Sequence, residues 1–269
     1  MRLFISTLGK LRSRLATWLT LGLLILLMAL IYLAVGATAK QTLERPGGQS
    51  VLLLLTFPGA YALILGFVLG LGGLFVMAYA AAIAGSEWTW GTLKTAVARG
   101  ESRSRYMLTT FFGIAALALV GLLIAFLVGV IVTFLAATLA GVSTDGIGDT
   151  SIFGNLPEQF LRGWFGLVEV GAVGFTIATL ARSQLAGVGA GIGIYFAGSF
   201  AGIFLPDIVK YLPFAAANSL IQVNGSASAG GGAPTARLDP NTALIVVLVW
   251  LVGSLVVTAL FTERAEISG

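Results

Sequence analysis

Residues 107–140 read MLTTFFGIAALALVGLLIAFLVGVIVTFLAATLA and contain no charged side chain. A helix of about 20 apolar residues crosses the roughly 30 Å hydrocarbon core of a bilayer, so this stretch predicts a membrane span. Because the stretch is longer than one crossing requires, we expect its helix to tilt, kink or protrude. The chain is therefore expected to be an integral membrane protein.

Five further apolar stretches lie before or after it in the chain. The second span of the chain is also longer than one crossing requires, and Pro58 and the glycines at 70–73 are candidate kink points within it. We predict an all-α integral membrane protein in which residues 1–269 form a single transmembrane domain with six transmembrane helices. The predicted spans are 16–36, 51–83, 107–140, 160–180, 185–205 and 242–261.

The composition agrees with this fold class and excludes several functions. Hydrophobic residues make up 58% of the chain and charged residues 10%, whereas a soluble domain is about half apolar and a quarter charged. The chain has no cysteine and no histidine, which excludes disulfides, thiolate zinc sites and histidine catalysis. It also lacks a G-x-x-x-x-G-K-[ST] phosphate loop. We therefore expect no catalytic residue, metal or cofactor in this chain, which is not predicted to be an enzyme.

Charge placement predicts the orientation. If both termini lie on one side, that side holds ten basic residues and the other holds five. Because cytoplasmic loops are enriched in Lys and Arg, we expect both termini to be cytoplasmic. The protein is expected to lie in the plasma membrane, and its basic residues are not interpreted as a nucleic-acid-binding patch. The ten are Arg2, Lys10, Arg12, Arg14, Lys94, Arg99, Arg103, Arg105, Arg182 and Arg264, and the five are Lys40, Arg45, Arg162, Lys210 and Arg237.

Residues 1–15 predict an interfacial helix that contacts membrane lipid. Phe4, Leu8 and Leu11 share one helical face, whereas Lys10 and Arg14 lie on another. Such a helix rests on anionic headgroups with its basic face toward them. A solvated basic N-terminus is one alternative. A signal peptide is another, although its apolar run is long and five more spans follow.

Two segments between spans predict shorter helices. In the cytoplasmic loop at 84–106, residues 91–99 predict a helix that Gly100 ends, and Ser102 is placed to cap the third span. On the outer side, residues 206–240 contain four prolines. Within them, 208–221 predicts short re-entrant helices between the fifth and sixth spans.

Glycines four residues apart in the fifth span favour close helix packing. The pairs are Gly187 with Gly191, Gly189 with Gly193 and Gly198 with Gly202. The packing partner is either another helix of the same subunit or a second copy of the chain.

Residues 87–105, EWTWGTLKTAVARGESRSR, contain a glutamate, then Gly-Thr-Leu-Lys, then Arg-Gly-x-Ser-Arg. This order resembles the segment between the second and third spans in membrane (permease) subunits of ATP-binding-cassette (ABC) transporters of the type-2 exporter class. The whole layout is similar to that family as well, with an interfacial helix, six spans and re-entrant outer helices.

The resemblance implies a coupling helix that sits in a groove of a cytosolic ATPase subunit. A helix joined to two long spans can transmit a rigid-body push to the membrane bundle. Glu87 is expected to pair with a basic group on the ATPase or on the N-terminal helix. The residues assigned to ATPase coupling are Glu87, Gly91, Thr92, Leu93, Lys94, Arg99, Gly100, Ser102 and Arg103.

The resemblance also implies the function and the partners. The expected function is ATP-driven export of an unidentified hydrophobic or amphiphilic substrate. The expected partners are two ABC ATPase subunits, which would bind ATP and Mg, and a second permease copy or a homologous permease.

Glu169 is an ionisable residue well within the fourth span, where a charge is costly and is usually functional or paired. Arg162 lies on the same helix face, roughly 10 Å away along the axis. Two interpretations stay open. Glu169 lines the translocation pathway, or it forms an intramembrane pair with Arg162 or a buried hydroxyl.

Three alternative functions are weighed. A secondary transporter or channel that needs no ATPase would bind coupling ions at charged residues in several spans, and only Glu169 and Arg162 offer such charges. An intramembrane enzyme would need a catalytic histidine or paired carboxylates, and this chain has no histidine and no span with two carboxylates. A non-transporting membrane scaffold is the third alternative.

Overall fold

The computed structural model describes residues 2–39, 41, 52–149, 155–221 and 237–265. These residues form helices and no strand. Six of the helices are long and apolar enough to cross a membrane, so the chain has the architecture of a multi-pass membrane protein. In chain order, the helices are α1 (Arg2–Arg12), α2 (Leu15–Ala37), α3 (Ala60–Thr89), α4 (Thr92–Ala98), α5 (Arg103–Ala140), α6 (Leu156–Ala181), α7 (Gln184–Phe204), α8 (Pro206–Val209), α9 (Pro213–Ser219) and α10 (Pro240–Arg264).

The six long helices, α2, α3, α5, α6, α7 and α10, alternate in direction. We call the end that holds α1, α4, the start of α5 and the end of α10 the basic end, because most of the described Lys and Arg residues lie there. The opposite end is joined by hydrogen bonds between distant segments. Tyr61 donates to the carbonyl of Ile147 at 2.9 Å, and Arg162 donates to Asn241 at 3.0 Å.

Helices α3 and α6 form the centre of the bundle. Their mutual contact is the most extensive; α2 packs on α5 and α3, α7 packs on α3 and α6, and α10 packs on α6 and α5. Polar side chains in the centre bond across helices. Thr176 of α6 shares a 2.8 Å hydrogen bond with Thr258 of α10, and Trp164 of α6 donates to the carbonyl of Ala115 in α5.

The second predicted span is corrected at both ends. Residues Leu53–Leu55 form a single 3-10 turn, and α3 starts only at Ala60, after the cis Phe57–Pro58 peptide. Proline lacks the backbone N–H that a helix needs and disfavours helical geometry in the residue before it, so the helix cannot run through Pro58. In contrast, α3 continues without a break past the glycines at 70–73 and ends at Thr89 rather than at 83. Glu87 is therefore a helical residue, not a loop residue.

Two short helices connect α7 to α10 at the opposite end. Helix α9 is drawn into the bundle, where Pro213, Phe214 and Ala217 are buried against α3, α6 and α10. Each of α8, α9 and α10 has a proline in its first turn, where the missing N–H costs no helical bond. Lys40 and Arg45, which are predicted to lie on the outer side of the membrane, are outside the described residues.

Helix α7 packs against α6 and α3 through glycines. A Cβ on Gly187 would overlap Ala178 of α6, and one on Gly191 would lie 3.0 Å from Met77 of α3. Both glycines therefore serve packing inside the subunit. Gly189 and Gly193 are exposed and have no atom within 4 Å of such a Cβ.

This contrast predicts that Gly187 and Gly189 tolerate substitution differently. We expect Gly187→Val to lower the free energy of unfolding by about 1–3 kcal/mol, because the new side chain forces α6 and α7 apart. Gly189→Val, on the same helix, should change it by no more than about 0.5 kcal/mol. Thermal unfolding of the purified variants in detergent measures both. Equal melting temperatures would contradict the packing described here.

Candidate functional site

The most highly connected charged group at the basic end is the carboxylate of Glu87, in the last turn of α3. Its residue is fully buried. Lys10 Nζ donates to Glu87 Oε1 at 2.8 Å and Arg14 Nη2 at 3.3 Å, while Tyr106 Oη donates to Oε2 at 2.7 Å. The hydroxyl of Thr92 also donates to Oε2. We call these five residues the Glu87 cluster.

The electrostatics of the cluster explain why a buried carboxylate is tolerated. Taking a charge out of water costs several kcal/mol unless opposite charges and hydrogen bonds replace the lost hydration. Here two cations and two hydroxyls supply that replacement, and hydrogen bonds to charged groups are the stronger kind. The Lys10 side chain is 38% exposed, so water reaches the ammonium group of Lys10 although the Glu87 carboxylate is buried.

The cluster is continuous with further polar contacts. Lys10 Nζ also donates to Tyr106 Oη at 3.3 Å, and Arg14 Nη1 donates to Ser86 Oγ at 3.0 Å. The Arg14 guanidinium lies 5.3 Å from the ring centroid of Trp90. The hydrogen bonds join α1, the residue before α2, the end of α3, the start of α4 and the start of α5.

Helix α4 is positioned by this cluster and by two turns. Thr92, its first residue, donates to the Glu87 carbonyl as well as to the carboxylate. Gly91 and Gly100 have φ of 67° and 88°, in the left-handed region that glycine adopts without strain. The chain can therefore reverse sharply on both sides of a seven-residue helix.

Helix α4 has one anchored face and one exposed face. Leu93 is buried, and Val97 packs against the same apolar cluster as Leu93. Lys94, Thr95 and Arg99 are exposed on the outside of the molecule. The helix thus presents basic and polar groups while its apolar side holds it to the bundle.

A second set of contacts fastens α5 and α7 to α10. Arg103 Nη1 donates to the carbonyl of Ala265 at 2.6 Å, and Ser104 donates to Glu263. The guanidinium of Arg182, in the turn before α7, lies 5.2 Å from the Trp88 ring and 5.4 Å from the Phe261 ring.

The structure brings together only part of the site predicted from the sequence. Of the nine coupling residues, Glu87 and Thr92 belong to the cluster, and Ser102 occupies the N-cap of α5 but its side chain makes no capping bond. The expected pairing of Glu87 with a basic group of the N-terminal helix is present, through Lys10 of α1 and through Arg14 just after it. Neither Lys10 nor Arg14 is among the nine residues predicted from the sequence. Their four-residue spacing on one face of the N-terminal segment was the signal that could have found them.

Arg162 and Glu169 are both described by the structure, and they do not form the ion pair that was one of the two interpretations. Arg162 instead binds Glu158 at 2.6 Å, one helical turn away, and Asn241 of α10. Glu169 is fully buried in α6, and neither of its carboxylate oxygens has a hydrogen-bond partner among the described residues. No group of three acidic side chains in the described part of the chain is placed to hold a metal ion.

The cluster predicts that Glu87 controls the stability of α4. We expect Glu87→Gln to lower the free energy of unfolding by about 2–4 kcal/mol, less than for a fully buried pair because Lys10 stays partly hydrated. Hydrogen exchange of residues 91–100 should accelerate. The matched variant Glu101→Gln loses only a 3.9 Å surface contact to Arg105. Its free energy of unfolding and its hydrogen exchange at residues 91–100 should both stay near wild type. A Glu87→Gln protein with unchanged exchange at α4 would refute this role.

Because the Glu169 carboxyl has no hydrogen-bond partner among the described residues, its removal is expected to stabilise the protein, in contrast to Glu87→Gln. A buried polar group without a partner costs about 1–3 kcal/mol, so Glu169→Met should raise the melting temperature. Glu169→Gln keeps a buried polar group and should not. A lower melting temperature for Glu169→Met would mean that the carboxyl has a partner in the working protein.

Comparisons with known proteins give a family. An uncharacterized protein of Bacillus subtilis (strain 168), YhcI, is 27% identical over 168 residues, which are 58% of this chain and 54% of that protein. The match thus spans about half the length of that relative. A family model described as a protein of unknown function (DUF2705) matches residues 58–268, which include α3 to α10. Because this match covers well over half of the sequence, the chain belongs to the DUF2705 family.

Proposed function

We propose that the chain is the membrane (permease) subunit of an ABC transporter of the type-2 exporter class. Two copies, or one copy and a homologous permease, would enclose the pathway for a hydrophobic or amphiphilic substrate. Two separate cytosolic ATPase subunits would bind ATP and Mg and supply the energy. The proposal rests on the resemblance of residues 87–105 and on the geometry of α4.

The observation that supports the proposal most is the fastening of an exposed helix to several long ones. Helix α4 offers Lys94, Thr95 and Arg99 to the outside. Through Thr92 and Glu87 it is bonded to α3, α5 and α1. A partner that displaces α4 would therefore move these helices together, as a rigid-body transition requires.

Helix lengths favour contact between α4 and a partner in the cytosol. Helix α3 has 30 residues and α5 has 38, which correspond to roughly 45 Å and 57 Å. Both exceed the roughly 30 Å hydrocarbon core. Their ends project from it, and α4 joins the two ends that lie at the basic end.

The distribution of charge favours a cytoplasmic basic end. Lys10, Arg12, Arg14, Arg103 and Arg182 all lie there in the structure, so the ends of the helices divide as the positive-inside rule requires. Both termini would then be cytoplasmic in the plasma membrane. Helices α8 and α9 would be the re-entrant helices on the outer side.

The test is the retention of an ATPase by variants of the exposed face of α4. We expect Arg99→Glu to abolish co-purification of a cytosolic ABC ATPase from native membranes, because the variant reverses a charge at the contact. Arg105→Glu, which reverses the charge of a residue whose side chain is 68% exposed at the same end, should retain the ATPase. A wild-type chain that never retains an ATPase would overturn the proposal.

One observation favours a second candidate, an ion-coupled transporter. The carboxyl of Glu169 in α6, which has no hydrogen-bond partner in the described part of the chain, is the kind of intramembrane group that binds coupling protons or cations. Transport by the reconstituted chain that follows an ion gradient without ATP, and is lost in Glu169→Gln, would support this candidate over the first.

A further inference from the structure

A lateral groove of about 450 Å³ lies between α2, α3 and α5, next to the basic end. Its volume is within the range of small-molecule sites. Leu24 and Leu122 lie in its floor, while Trp18 and Val120 at its rim are half exposed. The groove is separate from the Glu87 cluster and from the exposed face of α4.

The groove has almost no polar group to offer a ligand. The Thr17 hydroxyl is shared between the Leu11 carbonyl and Tyr79, whose own hydroxyl is thereby used. The Thr20 hydroxyl donates to carbonyls of its own helix, and the Trp18 ring nitrogen donates to the carbonyl of Arg12 at 3.0 Å. The rest of the lining is apolar, so an occupant must be an apolar chain.

The exception is Arg12, an exposed residue that lines the groove. Its neighbours Lys10 and Arg14 are both paired with Glu87. Arg12 is exposed, and its guanidinium has no ion pair or hydrogen bond to any side chain of the described residues. Among the described residues, the site therefore combines the positive charge of Arg12 with an apolar channel.

The length of the groove matches half a bilayer. Along α5 it extends from Ile114 to Ile124, which is roughly 15 Å of helix. The hydrocarbon core of one leaflet is about half of 30 Å. Arg12 and Trp18 lie at the same end of the groove, where the Trp18 ring nitrogen bonds to the Arg12 carbonyl. Tryptophan rings are enriched at the headgroup depth of a bilayer, which is the depth expected for this end.

We propose that this groove binds one acyl chain of an anionic phospholipid from the leaflet at the basic end, with the headgroup on Arg12. Charge complementarity selects an anionic lipid over a zwitterionic one, and the apolar lining selects the lipid over a water-soluble anion. The site would keep a lipid wedged between α2, α3 and α5. This inference does not depend on the proposed ATPase.

The test uses native mass spectrometry of the full-length chain, delipidated and then incubated with phosphatidylglycerol or with phosphatidylcholine of the same acyl chains. We expect the wild type to retain one phosphatidylglycerol, with about fivefold preference over phosphatidylcholine, the effect of one basic residue at an anionic surface. Equal retention of the two lipids by the wild type would overturn the proposal without any variant.

Two variants separate the headgroup from the acyl chain. Arg12→Gln should abolish the preference, whereas Arg105→Gln, at an exposed site of the same end, should keep it. Gly121→Leu should block retention of both lipids, since a Cβ at Gly121 has only Leu21 nearby, at 3.9 Å, and the longer side chain enters the groove. Its control is Gly253→Leu, at an exposed position of α10 with no atom within 4 Å.

Circular dichroism and size-exclusion chromatography identify variants that do not fold. Retention by a folded Gly121→Leu protein that equals wild type would place the lipid elsewhere and overturn the proposal. Retention of inorganic phosphate at Arg12 with no lipid preference would overturn it as well.

Discussion

The basic end of this protein depends on the burial of one carboxylate. Glu87 is fully buried at the end of α3, and a charge in such a position must be balanced by opposite charge and by hydrogen-bond donors. The donors come from Lys10, Arg14, Thr92 and Tyr106, which belong to four different segments of the chain. Those segments can satisfy the carboxylate only by converging on it, so their relative positions follow from this requirement.

The arrangement gives a short helix a fixed place that its own sequence could not provide. A helix of seven residues is far below the length at which an isolated helix is stable in water. The buried side chain of Leu93 and the bonds of Thr92 to Glu87 supply what is missing. These contacts therefore hold a surface of only a few residues firmly against α3 and α5.

The sequence predicted the features that depend on local composition and missed those that depend on tertiary contact. Length and hydropathy located six apolar helices, because a span is recognisable from its own residues. The second predicted span ends at 83, whereas α3 continues to Thr89, because polar residues such as Ser86 and Glu87 resemble a loop in the sequence although they continue the helix. In the same way, Arg162 shares a helix face with Glu169, but the structure pairs it with Glu158, its nearer neighbour. The spacing of Lys10 and Arg14 puts them on one helical face and Arg12 on another, but only the fold shows that the first two turn toward Glu87.

The division of α1 between two tasks has a thermodynamic consequence. Lys10 joins the Glu87 cluster while Arg12, two residues later on the same helix, faces the lipid groove. If a phospholipid on Arg12 alters the position of α1, it alters the affinity of α4 for a partner by some factor. Linkage then requires that partner to alter the affinity for the lipid by the same factor. A membrane richer in anionic lipid would thus change how tightly such a partner is held, and a bound partner would change how tightly the lipid is retained.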